Sequence, residues 1–143
     1  MQPQGSILTR ILVFVPLILG LLVILTPEVL IPVCTDLVEM KSGALRPMRC
    51  AYAAKAEMLL GALLMVTGLL IILYRKTTKL VAALGLIVSA IGIAIILVPQ
   101  SSIIGVCMHH SMPCRDTQKW LVAEGALTIA TGLLLWYRCR RSI

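Results

Sequence analysis

Four apolar runs, Ile7 to Thr26, Ala51 to Leu73, Leu80 to Val98 and Trp120 to Tyr137, decide what solvent this chain folds in. Each is long enough, as a helix, to cross a hydrocarbon layer of roughly 30 Å. Lipid leaves no water to satisfy backbone groups, so spanning segments are helices or closed barrels. The expected fold is therefore all-α: an integral membrane bundle of four transmembrane helices, forming a single domain over 1–143. Composition agrees, with 59% hydrophobic and 13% charged residues in a chain of 143 and a mean hydropathy of +1.00, outside the range of soluble domains. Little chain remains for a soluble catalytic domain, and no phosphate-cradling glycine loop or nucleophile elbow occurs, so the expectation is a protein that is not an enzyme. The first run has the look of a cleavable signal, with Arg10 ahead of it. Thr26-Pro27-Glu28 is a poor cleavage site, however, and the run has a counterpart later, so it is read as a retained span.

The second and fourth runs match without gaps from a cysteine onward: Cys50 to Leu70 reads CAYAAKAEMLLGALLMVTGLL, and Cys114 to Leu134 reads CRDTQKWLVAEGALTIATGLL. The shared positions are the cysteine, Lys55 and Lys119, Gly-Ala-Leu from Gly61 and Gly125, and Thr-Gly-Leu-Leu from Thr67 and Thr131. Apolar composition alone does not place Cys, Lys, Gly and Thr in one register. The first and third runs align more weakly. Gly20 precedes Pro27 as Gly92 precedes Pro99, Ile24-Leu25 matches Ile96-Leu97, and each run leads into a Val-Cys, at Cys34 and Cys107. Two tandem units, 7–75 and 79–138, follow. Each holds two spans, so the copies share one orientation about a pseudo-two-fold axis along the membrane normal.

Basic residues in short loops mark the cytoplasmic side. Arg75, Lys76 and Lys79 crowd the connection between the second and third runs, Arg138, Arg140 and Arg141 follow the fourth, and Arg10 flanks the first. The cysteine loops hold nearly as many cations (Lys41, Arg46, Arg49, Lys55, Arg115, Lys119). All six acidic residues, Glu28, Asp36, Glu39, Glu57, Asp116 and Glu124, belong to that side as well, leaving it near neutral. Both termini are thus expected in the cytoplasm and both cysteine loops outside. Tyr74, Trp136 and Tyr137 fit an inner aromatic belt, Tyr52 and Trp120 an outer one. The sequence pI is about 9.5, but its cations flank spans, so no nucleic acid partner is expected.

In that orientation Cys34, Cys50, Cys107 and Cys114 face an oxidising compartment, where thiols pair, and Cys139 lies on the reducing side. Structural disulfides are the leading reading, with Cys34–Cys50 and Cys107–Cys114 suggested by the repeat, although four cysteines allow three connectivities. Two alternatives stay open. Four spans with two cysteine pairs resemble the quinone-linked thiol oxidases of the disulfide-forming and vitamin K epoxide reductase type. Those use Cys-x-x-Cys, whereas the shorter spacing here is CMHHSMPC. The same segment offers Met108, His109, His110 and Met112 beside the two cysteines, ligands suited to copper or zinc. The first loop has no histidine, and the expectation is no cofactor.

Counting from Cys114 at 1.5 Å per residue places Glu124 roughly 15 Å down its helix, an intramembrane ionisable group and so a functional candidate; the plain alternative is a rim ion pair or a protonated acid. Glu57 is expected as a second intramembrane ionisable group, closer to the surface than Glu124 and favoured there as an interfacial ion pair. Gly61 and Gly68, Gly125 and Gly132, and Gly85, Ser89 and Gly92 form small-residue stripes suited to close helix packing. Thr67 and Thr131 can bond a carbonyl one turn back. Neither a carboxylate relay nor a charged ring is evident, so the pattern is unlike a proton-coupled pump or a channel.

The residues GVCMHHSMPCRDT, followed by Glu124-Gly125 in the last helix, resemble a family of small bacterial tetraspan membrane proteins described only as a domain of unknown function. The resemblance extends over essentially the whole chain. Its most specific feature is the second loop, with Met-Pro-Cys and a threonine three residues after the cysteine. It implies a bacterial cytoplasmic membrane, no assigned activity, and association with ABC exporter subunits of the macrolide-exporter type. The first loop departs from this pattern, reading MRCAYA where the second has Asp-Thr.

The leading expectation is an accessory or scaffolding subunit, of an ABC-type exporter for example, that docks another membrane protein or a second copy of itself within the bilayer. The alternatives are an extracytoplasmic metal or small-ligand binder or carrier, using His109, His110, Met108, Met112 and Glu124, and a thiol–disulfide oxidoreductase.

Overall fold

The computed structural model describes residues 7–33, 37–39, 41–105 and 114–141. Helix α1, Ile7–Leu25, runs into a π-helical turn, Thr26–Leu30. A short antiparallel strand pair, β1 Leu37–Glu39 and β2 Leu45–Pro47, precedes helices α2, Arg49–Leu73, α3, Thr78–Leu97, and α4, Cys114–Arg141. Four segments are long and apolar enough to cross a membrane: Arg10–Leu30, Arg49–Leu73, Thr78–Leu97 and Cys114–Arg141.

The interior is largely apolar, around Val23, Leu64, Ile71, Val88 and Ile95, but the distribution of the remaining side chains departs from that of a soluble bundle. Thr26, Glu57, Thr67, Ser89, Thr117, Glu124, Thr128 and Thr131 are buried, whereas Ile18, Leu59, Val66, Leu73 and Leu127 are more than half exposed. In water that outer surface would be a large unpartnered apolar patch. Facing hydrocarbon it needs no cover, and the fold is an all-α membrane bundle.

Each helix boundary has a local cause. Pro27 has no N–H to return to the Val23 carbonyl, so α1 widens there, and the Ile31 amide donates to the Thr26 carbonyl at 2.9 Å. Between α2 and α3, the Tyr74 amide closes on Leu70 O and Thr77 N on Tyr74 O, both at 2.9 Å. Helix α4 begins at Cys114, well before the apolar run. Asp116 stands in its first turn, where a carboxylate favours the helix N-terminus, and Lys119 meets it at 3.0 Å. At its far end Arg140 lies over Trp136, 5.1 Å from the ring centroid, and Arg141 over Tyr137 at 4.8 Å. The strand pair was not expected from the sequence. Its turn passes through Gly43 at φ +76°, a conformation that glycine adopts without strain.

Helix α1 packs chiefly on α2, and α3 on α4; the two hairpins meet through α1 with α4 and α2 with α3. Between lipid-facing spans there is no hydrophobic drive to associate, so backbones must come close enough for dispersion and weak Cα–H···O contacts. Glycines provide the approach. A Cβ added to Gly20 would lie 2.8 Å from Gly61 O, and one on Gly61 would lie 2.8 Å from Gly20 O. The same reciprocal contact, at 2.9 Å each way, joins Gly92 and Gly125. One step further along each hairpin, Gly68 faces the Leu17 backbone, while Gly132 faces Gly85 O and Ser89. Pairs that climb one helix as they descend the other make each hairpin antiparallel. The start of α1, the α2–α3 turn and the end of α4 therefore share one end of the bundle, the basic end, and the cysteine loops share the other.

Candidate functional site

Polar groups gather in the half of the bundle nearest the cysteine loops, where the π turn packs against both α2 and α4. Thr26, the first residue of that turn, is 1% exposed. Its Oγ1 lies 2.9 Å from the Leu22 carbonyl oxygen and 2.7 Å from Glu124 Oε1 on α4. One turn deeper the Thr128 hydroxyl donates to Glu124 O at 2.8 Å. Toward the loops the Thr117 hydroxyl donates to Ile31 O at 2.9 Å, and Gln118 Nε2 donates to Pro99 O at 3.3 Å. Helix α4 is thus tied to the ends of both α1 and α3.

Glu57 faces this cluster from α2. The sequence placed it near the surface in an interfacial ion pair, and the structure corrects this. Glu57 is 0% exposed, neither carboxylate oxygen has a hydrogen-bond partner among the described residues, and it interacts electrostatically with Glu124. What the sequence reading lacked was the face of α2 that Glu57 occupies. Glu57 follows Cys50 by two turns and shares the inward stripe of Cys50, Ala53, Ala54, Gly61 and Leu64. Glu124 is 7% exposed, and its Oε2 also lacks a partner. Lys119, the nearest cation in sequence, is spent on Asp116 at the surface.

Other expected residues are placed as follows. Cys50 and Cys114 are wholly buried at the first turns of α2 and α4, and Cys139 is part-buried in the last turn of α4. Cys34, Cys107, Met108, His109, His110 and Met112 lie outside the described residues, as do any contacts they make. Gly61, Gly68, Gly85, Gly92, Gly125 and Gly132 all sit at helix–helix contacts. Ser89 lies within reach of Gly85 O, at 3.2 Å, and of Ile129 O across the interface, at 3.3 Å. Thr67 and Thr131 donate one turn back, to Leu63 O at 2.8 Å and Leu127 O at 2.7 Å. Thr26 was missed. The only signal for it was a hydroxyl directly before a proline at the end of the first span, and such a residue commonly just caps its own helix.

Chemically, the site is a pair of carboxyl groups in a low-dielectric interior with one hydroxyl nearby and no basic side chain among the described residues around it. A bare charge there is costly, so each carboxyl calls for a proton or a compensating cation beside it.

A family model described as "Domain of unknown function (DUF4418)" matches residues 16–137. No curated protein and no solved structure matches the chain.

Proposed function

The chain belongs to the DUF4418 family, and on that footing we propose that it is a membrane-embedded binder or carrier of a small cation, held at Glu57 and Glu124. The observation that carries this reading is Glu57: a carboxyl fully buried among lipid-spanning helices, with both oxygens unpartnered, beside a second acid. A structural role alone would be served better by an apolar side chain, because a half-satisfied buried polar group weakens a core. The reading is of a binding protein and not an enzyme. It is the small-ligand alternative moved ahead of the accessory subunit, with its site in the helices and not in the histidine loop.

Several features support the finer architecture. The reciprocal Gly20–Gly61 and Gly92–Gly125 contacts fall at matching positions of the two sequence units and favour the tandem-repeat reading. The exclusively basic end favours a cytoplasmic placement of the termini, with cysteine loops facing the exterior of a plasma membrane and disulfides at Cys34–Cys50 and Cys107–Cys114. The site would then lie in the exterior half of the bundle.

The test is a panel of Na⁺, K⁺, Ca²⁺ and alkylammonium salts at constant ionic strength, read as thermal unfolding of the purified protein. At least one cation should stabilise wild type and leave a Glu57→Gln/Glu124→Gln variant unmoved. Indistinguishable responses of the two proteins to every cation would remove the proposal.

The accessory-subunit reading retains one specific observation, the exposed apolar side chains Leu37, Val38 and Leu45 on the strand pair beside the membrane. Cross-linking from these positions in native membranes should capture one reproducible membrane partner, an exporter subunit or a second copy; capture of lipid alone would count against it.

A further inference from the structure

The donor count at the carboxyl pair narrows the class of cation. Three oxygens lack a partner among the described residues, Glu57 Oε1, Glu57 Oε2 and Glu124 Oε2, while Glu124 Oε1 already meets Thr26. Calcium takes about six to eight oxygen ligands, and magnesium needs near-octahedral geometry. Two carboxyl groups and a hydroxyl fall short of either, and among the described residues no group of three or more His, Cys, Asp or Glu stands together. A primary ammonium group asks for something else: acceptors for three N–H donors and an apolar surround for its carbon chain. Two open acceptors on Glu57, on the α2 stripe with Ala53, Ala54, Gly61 and Leu64, and a third on Glu124 of α4 meet that description.

Charge sets the second half of the argument. Two ionised carboxylates facing one another in a low-dielectric interior repel strongly, and one monovalent cation compensates only one of them. The other must keep a proton. Among the described residues no other charged side chain is buried with the pair: Arg49 and Lys55 on α2 and Arg115 on α4 are exposed. On α4 the pair has Cys114 toward the loops, with Asp116 and Lys119 paired at the surface. On the π turn Glu28 is exposed, α2 adds the buried Cys50 and the exposed Tyr52 toward the loops, and the only titratable residue of α3 is Lys79, at the basic end.

We propose that Glu57 and Glu124 form a site for a primary ammonium group that exchanges with one of the pair's two protons, a reading that rests on the cation-binding role above. In the exchange the doubly protonated pair accepts R–NH₃⁺, one carboxyl releases H⁺ to water, and the occupied site stays neutral, with one carboxylate, one carboxylic acid and one ammonium. No covalent bond other than O–H changes.

The test uses the full chain in lipid nanodiscs, with benzylammonium as probe, tetraethylammonium as a cation without N–H donors, and sodium as a small inorganic cation. Thermal unfolding is followed together with proton release in weakly buffered solution. Benzylammonium should raise Tm by several degrees and release about one proton per cation bound; tetraethylammonium and sodium should do neither, and Glu57→Gln should abolish both effects. If tetraethylammonium acts equally, or sodium alone acts, the ammonium reading is overturned while cation binding stands. If no cation changes Tm or releases protons, both readings fall. Should the variant fail to fold, the wild-type contrast between benzylammonium and tetraethylammonium decides alone.

Discussion

Thr26 Oγ1, at the end of the first span, and Glu124 Oε1, on α4 and 98 residues away in sequence, stand 2.7 Å from each other. The same hydroxyl lies 2.9 Å from the Leu22 carbonyl oxygen, and it has one proton to donate. When that proton goes to Leu22, the contact with Glu124 is completed only by a proton on the carboxyl itself. When it goes to Glu124, the helix carbonyl gives up the threonine. The last turn of α1 is therefore coupled to the protonation of α4 through one short contact.

Removing the hydroxyl tests that coupling. In Thr26→Val, Glu124 Oε1 loses the one partner it has among the described residues and becomes a buried orphan acceptor. The expected loss of stability is about 1–3 kcal/mol, read from thermal unfolding in mild detergent, with Thr26→Ser much closer to wild type. A valine variant as stable as the parent would mean the contact carries no energy.

Glu57 should behave in the opposite way. In the alignment from Cys50 and Cys114 its counterpart is Leu121, which is 3% exposed, so this position accepts a leucine in the other hairpin. Replacing a buried ionisable group by a well-packed apolar one is commonly neutral or stabilising, by about 1 kcal/mol or more. Glu57→Leu is thus predicted to fold at least as stably as wild type while losing every cation response. A drop of more than about 2 kcal/mol would make Glu57 a structural residue and not a binding one.

Some of this was open to reading from the residues alone. Bilayer thickness translates directly into run length, so four spans could be counted. Glu57 was misjudged because rise along a helix gives depth but not azimuth. Only its alignment with Cys50, Gly61 and Leu64 on one stripe shows that it points inward. Thr26 was hidden for a different reason: its partner is set by how the two hairpins dock, which no local pattern encodes. The strand pair escaped notice because Leu37–Glu39 and Leu45–Pro47 are too short to display a period of two.

The glycine contacts make the two hairpins comparable. A methyl at Gly125 would approach Gly92 O at 2.9 Å and Ile96 Cγ1 at 2.6 Å, and one at Gly61 would meet Gly20 O at 2.8 Å and Ile24 Cγ1 at 2.7 Å. Backbone oxygens cannot swing away as side-chain tips can, so each helix pair must separate. Gly125→Ala and Gly61→Ala are each expected to destabilise by about 1–3 kcal/mol, and by similar amounts if the hairpins are equivalent units. Unfolding of both variants in one detergent checks this; loss confined to a single hairpin would argue against equivalence.

Orientation is the premise under the exterior-facing site, and cysteine chemistry can test it without touching the site. Cys50 and Cys114 are 0% exposed, so even after reduction they should react slowly with a bulky reagent in the folded protein. Cys34 and Cys107 should then carry the label when a membrane-impermeant maleimide is applied to reduced, intact cells. Cys139, on the basic end, should react only after the membrane is opened. Peptide mass mapping separates the sites. Label on Cys139 in sealed cells, with none on Cys34 or Cys107, would invert the bundle. The carboxyl pair would then lie in the cytoplasmic half, and the oxidising environment on which the proposed disulfides depend would be gone.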